Sequence, residues 1–223
     1  MIRFEQVYKR YANGREALAG VSLNIEPGAL TFLTGPSGAG KSSILKLIAL
    51  IERPTRGGVY VNGQNTAGVK PRGIPQFRRN LGVVFQDHKL LHDRPVADNV
   101  ALPLVIAGHS KREIDKRVRA ALDQVGLLGK EKSLPLELST GEQQRVGIAR
   151  AVVAKPALLI ADEPTGNLDP ELALEIMKLF KRFSEVGVTV VVASHDVHLI
   201  DQVGARRISL RAGRVAEPMP SSP

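Results

Sequence analysis

The sequence predicts an α/β fold built on a parallel β-sheet, with an antiparallel β region at the N-terminus and an inserted helical segment. Three observations support this fold class. Apolar strands and amphipathic helices alternate over much of the chain, as in parallel sheets covered by helices. Residues 1–30 alternate apolar and polar positions, which is typical of antiparallel strands. Residues 87–156 carry helical patterns instead.

The N-terminal region is divided into strands by turn-forming dipeptides. Asn13-Gly14 and Pro27-Gly28 are turn signals within residues 1–30 and predict strands and hairpins there. A short buried strand is predicted at Thr31–Thr34, where it runs into a glycine-rich turn. Behind that turn, the length and the helix formers of Ser43–Ile51 predict a buried helix.

A second strand-like stretch precedes the helical segment. It covers residues 56–85, with turns predicted at Gly57-Gly58 and Asn62-Gly63. Within the helical segment, Ser110 and Glu113 have the spacing of a capping box at a helix N-terminus. Gly126 follows the apolar face of that helix and is expected to lie where it ends.

Strands return after the helical segment. Ala157–Asp162 and Val188–Ser194 are apolar runs of strand length. Between them, Pro170–Phe183 has one apolar face and is predicted to be a helix, with Asp169 as its N-cap. We therefore expect a single domain over residues 1–216, with the helical part at about 87–156 inserted in the core and a disordered tail at 217–223.

Composition excludes several classes of protein. The 223 residues are 43% hydrophobic and 24% charged, which is ordinary for a globular domain. The absence of cysteine excludes disulfides and thiolate-bound zinc and fits a reducing cytoplasm. The first residues lack the apolar stretch of a signal peptide. The longest apolar runs are far shorter than the roughly 20 residues of a membrane span, so any membrane association should be peripheral.

The net charge of +9 allows more than one interpretation. The basic residues could bind nucleic acid, an anionic lipid surface or an acidic protein partner, or they could simply be exposed to solvent. Aromatic residues make up only 4% of the chain and do not alternate with the basic ones, so we expect no nucleic-acid partner. Contact with anionic lipid stays open.

A phosphate-binding loop is predicted between the strand at Thr31–Thr34 and the following helix. Its sequence fits G-x-x-x-x-G-K-[ST], and strand, loop and helix come in the order that this motif requires. The backbone N–H groups would bind phosphate oxygens, Lys41 would reach the β- and γ-phosphates, and Ser42 would bind Mg²⁺. The residues assigned to this loop are Gly35, Pro36, Ser37, Gly38, Ala39, Gly40, Lys41, Ser42 and Ser43.

Two carboxylates end the strand at 157–162. If this strand lies beside that of the phosphate loop, Asp162 can act on Mg²⁺, and Glu163 can be the base that activates water. Alone, such a pair would be interpreted as a helix cap or a solvated turn, and the phosphate loop in the same chain favours the catalytic interpretation. His195 follows the next strand, where it could contact the γ-phosphate. Gln86 ends another short strand, where it could bind Mg²⁺ or hold the water.

Ser139, Thr140, Gly141 and Glu142 begin a further predicted helix. Ser139 and Glu142 fit a capping box, and a helix N-terminus with a glycine in its first turn can also bind an anion. These two interpretations are compatible.

In their order along the chain, these motifs resemble those of ABC-transporter nucleotide-binding domains. The resemblance covers about residues 2–215 and rests on residues 35–42 (Walker A), Gln86 (Q-loop), 138–142 (signature), 157–163 (Walker B), 166–169 (D-loop) and His195 (H-switch). It implies a P-loop NTPase core of the RecA-like type and Mg-dependent hydrolysis of ATP to ADP and phosphate.

The resemblance also implies partners. Two copies would pair head to tail, with each ATP between one phosphate loop and the partner copy's signature residues, while Asp169 belongs to the D-loop. Tyr11 stands where the family has an aromatic residue that stacks on adenine. An integral membrane protein would be driven by this dimer at the cytoplasmic face of the bacterial inner membrane.

Within the family, the stretches 84–91, 98–104, 141–156 and 161–170 resemble a cell-division branch. A transporter ATPase for lipoprotein release or macrolide efflux is the alternative. A DNA-repair type would carry a coiled coil or zinc module between Lys41 and Ser139, and a nucleotide sensor would not need Glu163 and His195. Thr140 departs from the glycine usual in the signature, and we expect it to weaken or slow dimer closure.

Overall fold

The computed structural model describes residues 1–166 and 168–216, whose strands form two sheets. The strands are β1 (Ile2–Arg10), β2 (Glu16–Ile25), β3 (Leu30–Thr34), β4 (Arg56–Val61), β5 (Gln64–Asn65), β6 (Leu81–Val84), β7 (Leu158–Asp162), β8 (Thr189–Ala193), β9 (Arg206–Arg211) and β10 (Arg214–Val215). The helices are α1 (Lys41–Ile48), α2 (Ile74–Arg78), α3 (Val96–Ile106), α4 (Lys111–Gln124), α5 (Thr140–Val152), α6 (Pro170–Glu185) and α7 (Val197–Val203). The predicted tail at 217–223 lies outside the described residues.

The N-terminal antiparallel sheet has the order β2-β1-β4-β5, which confirms the prediction for this part of the fold. The turn predicted at Gly57-Gly58 is wrong, because both glycines lie within β4. The pairing of β1 with β4 shifts register there, and a Cβ on Gly57 would lie 2.2 Å from the carbonyl oxygen of Gln6. The glycines therefore serve a β-bulge with close backbone contact.

The central sheet has six strands in the order β10-β9-β3-β8-β7-β6. The pairs from β9 to β6 are parallel, and β10 joins β9 in the antiparallel sense. This confirms the predicted α/β class with a parallel core. The expectation that β7 lies beside β3 is wrong, because β8 is inserted between them. Consequently β8, the strand before His195, lies between β3 and β7, whereas it was expected on the far side of β7.

The two faces of the central sheet belong to different cores. Along β8, Val190 and Val192 pack among the helices on one face, and Val191 and Ala193 pack with α1 and the antiparallel sheet on the other. All four side chains are fully buried. This explains why the strand is continuously apolar and not alternating.

Three helices, α3, α4 and α5, lie between β6 and β7 and pack on one another. Ser110 caps α4 as predicted, but the reciprocal half of the capping box is not formed. The Glu113 carboxylate contacts His109 and Arg117 instead, because each of these side chains lies four residues from Glu113 along the chain. Gly126, with φ of 71°, follows the end of α4 as predicted.

Two local predictions need correction. Helix α1 begins at Lys41 and ends at Ile48, whereas a helix over Ser43–Ile51 was expected. Residues 66–78 form short helical turns and α2 in place of strand. Pro71 is the first residue of the second turn, and Pro75 is the second residue of α2. Proline is favoured at the first positions of a helix, where its missing N–H costs nothing. None of the helices within 1–166 and 168–216 has the length and apolar character to span a membrane.

Candidate functional site

The loop between β3 and α1 is shaped for phosphate oxygens by two glycines. Gly40 is the N-cap of α1, has a φ of 110°, and carries no side chain to cap the first N–H groups. A Cβ on Gly40 would lie 2.7 Å from the carbonyl oxygen of Ala17, and one on Gly35 would lie 2.2 Å from that of Leu210. Backbone conformation and packing thus both require glycine at these positions.

Lys41 is almost fully enclosed by the loop that precedes it. Its ammonium group donates to the carbonyl oxygen of Gly35 at 2.7 Å and lies 3.4 Å from Oε1 of Glu163. Only 8% of its side chain is exposed. The cation is therefore held at the mouth of the phosphate loop, within reach of the carboxylate predicted to be the catalytic base.

Asp162 reaches the phosphate loop across the sheet edge. The Ser42 hydroxyl donates to Oδ1 of Asp162 at 3.1 Å, because α1 begins above the strand ends and Asp162 ends β7. Burial raises the pKa of the Asp162 carboxyl, and the charge of Glu163 adds to this, against the Ser42 hydrogen bond and the charge of Lys41. Hydroxyl and carboxylate oxygens are ligands that Mg²⁺ prefers, so the side chains of Ser42 and Asp162 fit this cation.

Glu163 is held between the side chains of Lys41 and His195. Oε2 lies 2.9 Å from Nδ1 of His195, while Oε1 faces Lys41. The backbone N–H of Glu163 donates to the carbonyl oxygen of Ala193 on β8, and its φ of 45° is unusual for a glutamate. The strands thus bring the predicted base and His195 into direct contact.

One cavity of about 830 Å³ collects most of these groups. Of the residues predicted for the site, it is lined by Tyr11, the loop from Pro36 to Ser43, Gln86, Glu163 and His195. Its other lining residues are Asn13, Arg15, Lys46 and Gly166. Asn13 and Arg15 were missed because they appear only as parts of a hairpin turn. Lys46 could have been found, since it lies four residues, or about one turn, after Ser42 on the same helix.

The segment Ser139–Glu142 does not line this cavity. Ser139 accepts from the backbone N–H of Glu142 at 3.2 Å, and the Glu142 carboxylate accepts from that of Ser139 at 2.9 Å. This confirms the predicted capping box on α5. The hydrogen bond from the Ser139 backbone is the main cause that lowers the pKa of the Glu142 carboxyl.

Gly141, near the start of α5, has a role in packing. A Cβ on Gly141 would lie 2.1 Å from Cδ2 of Leu172 on α6, so the glycine permits close contact of the two helices. Thr140 is exposed at the helix start. Asp169 caps α6 as predicted, accepting from the backbone N–H of Leu172 at 2.9 Å. Asn167, which belongs to the predicted D-loop at 166–169, lies outside the described residues.

The loop after Gln86 is tied to the same helix as Ser139. Arg150, near the end of α5, donates to the carbonyl oxygens of His88 and Lys89. Both of these residues have left-handed backbones, with φ of 57° and 49°. A strained loop that holds a cavity residue is therefore bonded to the helix that begins with the signature segment.

Known proteins share sequence and fold with this chain. The ABC transporter family matches residues 18–166. The "Cell division ATP-binding protein FtsE" of Escherichia coli (strain K12) is 56% identical over 215 residues, covering 96% of this chain and 97% of that protein. FtsE of Bacillus subtilis (strain 168) is 46% identical over 213 residues, covering 96% of this chain and 93% of that protein. A dimeric ATP-binding cassette in a post-hydrolysis state, bound to ADP and Pi, superimposes with a TM-score of 0.89 at 36% identity, covering 97% of both chains.

Proposed function

The chain belongs to the ABC transporter family, and we propose that two copies close over Mg-ATP and couple its hydrolysis to a membrane protein resembling FtsX. The chain is an ABC ATPase subunit of the FtsE type. The observation that carries the dimer proposal is the division of the site. The cavity holds the phosphate loop, Glu163 and His195 but no residue of 139–142, which supports a second copy as the source of the signature residues.

Hydrolysis transfers the γ-phosphoryl group of ATP to water, and the chain's own residues position and stabilise that reaction. The backbone N–H groups of the phosphate loop hold the phosphates. Lys41 neutralises charge on the β- and γ-phosphates after exchanging its contact with Glu163 for phosphate oxygens. Glu163 accepts the proton of the attacking water or orients it, and His195 holds Glu163 and contacts the γ-phosphate.

Ser42, Asp162 and Gln86 would hold Mg²⁺, which supplies charge neutralisation at the β- and γ-phosphates when bound. The 3.1 Å contact of Ser42 with Asp162 supports the first two assignments, and the position of Gln86 on the cavity wall supports the third. From the partner copy, Ser139, Thr140, Gly141 and Glu142 would approach the same nucleotide, with Asp169 at the interface. Tyr11 would stack on the adenine ring.

The cellular role that we propose is regulation of septal cell-wall remodelling in cell division. Residues 1–216 would act as one ATPase domain, with the helical part at about 87–156 inserted in its core. The block around residues 88–109 would face the membrane partner at the cytoplasmic side of the inner membrane. The identities of 56% and 46% to FtsE proteins support this role over lipoprotein release or macrolide efflux. Co-purification from a detergent extract distinguishes these functions, because each requires a different membrane partner.

The first test is the solution mass of Glu163→Gln with and without Mg-ATP, measured by light scattering. Removing the base should trap ATP and give a dimer that forms only with nucleotide. Glu185→Gln, which changes an exposed glutamate on α6, is the matched control and should not trap a dimer. A Glu163→Gln protein that binds ATP and stays monomeric contradicts closure by the chain alone.

Thr140→Gly in the Glu163→Gln background then tests the departure in the signature. Because Thr140 is exposed at the start of α5, its side chain would meet the partner copy's nucleotide. We expect a larger dimer fraction at the same ATP concentration. An unchanged dimer fraction, together with unchanged ATP turnover in the single variant Thr140→Gly, excludes an effect of Thr140 on closure.

A further inference from the structure

Beneath Tyr11 lies a group of charged side chains that the mechanism above does not use. The Tyr11 hydroxyl lies 3.1 Å from Oγ of Ser43 in the phosphate loop and donates to Oε1 of Glu52 at 3.2 Å. Glu52 follows α1 and does not line the cavity. Its side chain is 20% exposed, so most of it is enclosed by its neighbours.

Two lysines complete this group. Lys9 forms an ion pair with Oε2 of Glu52 at 2.9 Å and donates to the carbonyl oxygen of Arg53 at 3.0 Å. Lys46, which lines the cavity, lies 3.7 Å from Oε1 of Glu52. Partial burial by itself raises the pKa of the Glu52 carboxyl, but the hydrogen bond and charge of Lys9, with smaller contributions from Tyr11 and Lys46, outweigh it and lower the pKa. Glu52 is therefore ionised at neutral pH.

Lys9 also covers one face of the tyrosine ring. Its ammonium lies 5.0 Å from the ring centroid, a distance typical of a cation–π contact. Only 13% of the Lys9 side chain is exposed and it does not line the cavity, whereas Tyr11 does. One face of the ring is thus occupied by an enclosed lysine outside the cavity lining, which leaves the other face for a base.

We propose that Glu52 is a positioning residue for the nucleotide base: it fixes the Tyr11 ring through the hydroxyl and, through Lys9, leaves a single ring face for stacking. This inference rests on the proposed function, in which Tyr11 stacks on adenine. Glu52 touches neither base nor phosphate and acts through Tyr11, Lys9 and Lys46. Because the Tyr11 hydroxyl also contacts Ser43, the position of the Tyr11 ring is fixed relative to the phosphate loop.

The structure contains a matched control for this arrangement. Arg3 lies over the ring of Tyr60 at 4.5 Å and pairs with Glu5 at 3.1 Å, so the same cation, tyrosine and glutamate chemistry recurs on the antiparallel sheet. Both side chains of that pair are at least half exposed, and none of the three residues lines the cavity. Glu5→Ala therefore removes a similar interaction from a place with no proposed role in nucleotide binding.

The experiment measures the Kd of the full chain for ATP and for CTP, by displacement of a fluorescent ATP analogue, together with kcat at saturating Mg-ATP. We expect Glu52→Ala and Tyr11→Phe each to weaken ATP binding about 5- to 10-fold, the size of one lost hydrogen bond. The Kd for CTP should rise less, because the smaller cytosine ring stacks less on Tyr11. The ratio of the two Kd values should therefore become smaller. For Glu52→Ala the loss should appear in the Kd for ATP and not in kcat. Glu5→Ala should change neither the Kd for ATP, nor the Kd for CTP, nor kcat.

The double variant Glu52→Ala/Tyr11→Phe decides whether the two residues act as a unit. If Glu52 acts through the Tyr11 hydroxyl, the double variant binds ATP about as well as either single variant. Additive losses overturn the proposal, as does unchanged ATP binding by Glu52→Ala while Tyr11→Ala weakens it. If Tyr11→Ala binds ATP as tightly as the unchanged chain, the result contradicts the proposed stacking of Tyr11 on adenine, on which the role of Glu52 rests. Glu52→Gln keeps an acceptor for the hydroxyl and should give an intermediate Kd, which a purely structural defect would not.

Discussion

At the scale of single residues, the site is organised by carboxylates placed among cations. Glu163 lies between Lys41 and His195, and Glu52 lies between two lysines below Tyr11. In both places a partly buried carboxylate is kept where its charge is matched within 4 Å. The consequence is preorganisation, because the side chains that meet the nucleotide are held before it arrives.

Glu142 allows this electrostatic argument to be tested at one residue. Its carboxylate lies at the N-terminus of α5, and its pKa is lowered mainly by the Ser139 backbone hydrogen bond. Glu142→Gln keeps an acceptor but loses the charge, so we expect about 0.5–1 kcal/mol lower free energy of unfolding at neutral pH, measured by urea denaturation without nucleotide.

The pH dependence has a definite sign. A lowered pKa in the folded state means that the stabilisation is present above the ordinary glutamate pKa and is lost as the pH falls through the folded value. The difference between Glu142→Gln and the unchanged chain should therefore shrink in acid. Glu185→Gln removes a charge at the C-terminal end of α6, where a carboxylate is not favoured, and should not lower stability. A loss of equal size there would contradict the helix-end explanation.

At the scale of elements, α5 links the parts of the site. Its N-terminus carries the signature segment, its C-terminal part binds the loop after Gln86 through Arg150, and its Gly141 packs on Leu172 of α6. The loop after Gln86 is therefore held to α5 through hydrogen bonds to two strained residues, His88 and Lys89.

Two glycines of α5 make the packing claim testable. A Cβ on Gly141 would meet Leu172 at 2.1 Å, whereas one on Gly147 has no neighbouring atom within 4 Å. Gly147→Ala should stabilise the protein by up to about 1 kcal/mol, because alanine favours the helix. Gly141→Ala should be less stable than Gly147→Ala by about 1–3 kcal/mol owing to overpacking, as measured by thermal unfolding. Adding Leu172→Ala should recover part of that loss, and equal stability of the two glycine variants would exclude the close contact.

At the scale of the whole molecule, the net charge affects which surfaces the protein binds and does not determine its fold. A net charge of +9 is expected to favour an anionic membrane surface at about 1 kcal/mol for each well-placed lysine or arginine. We propose such lipid contact beside the membrane partner, and no nucleic acid is expected.

Co-sedimentation with vesicles tests the lipid contact. Binding to vesicles with anionic headgroups should exceed binding to neutral vesicles at low salt and should fall strongly at high salt, because salt screens exposed charges. Binding that persists unchanged in high salt would show that charge does not drive it.

Much of the molecule is determined by local sequence. The glycines and Lys41 of the phosphate loop, the capping box of Ser139 with Glu142, and the buried run of β8 each follow from backbone conformation or apolar pattern within a few residues. The fold class followed from the alternation of strands and helices. Local patterns failed where an alternative partner was nearby, as for Glu113, which binds His109 and Arg117 in place of its own helix N-terminus.

Only the tertiary structure decided which distant residues meet. The order of the central sheet, with β8 between β3 and β7, depends on non-local pairing that no short window encodes. That order brings Glu163 against His195 and Asp162 against Ser42, and it leaves Ser139 away from the cavity. Glu52 shows the same limit. Its sequence context is unremarkable, and only the packing of α1 against the antiparallel sheet puts its carboxylate under Tyr11, because long-range contacts are fixed by the whole core and not by neighbours in the chain.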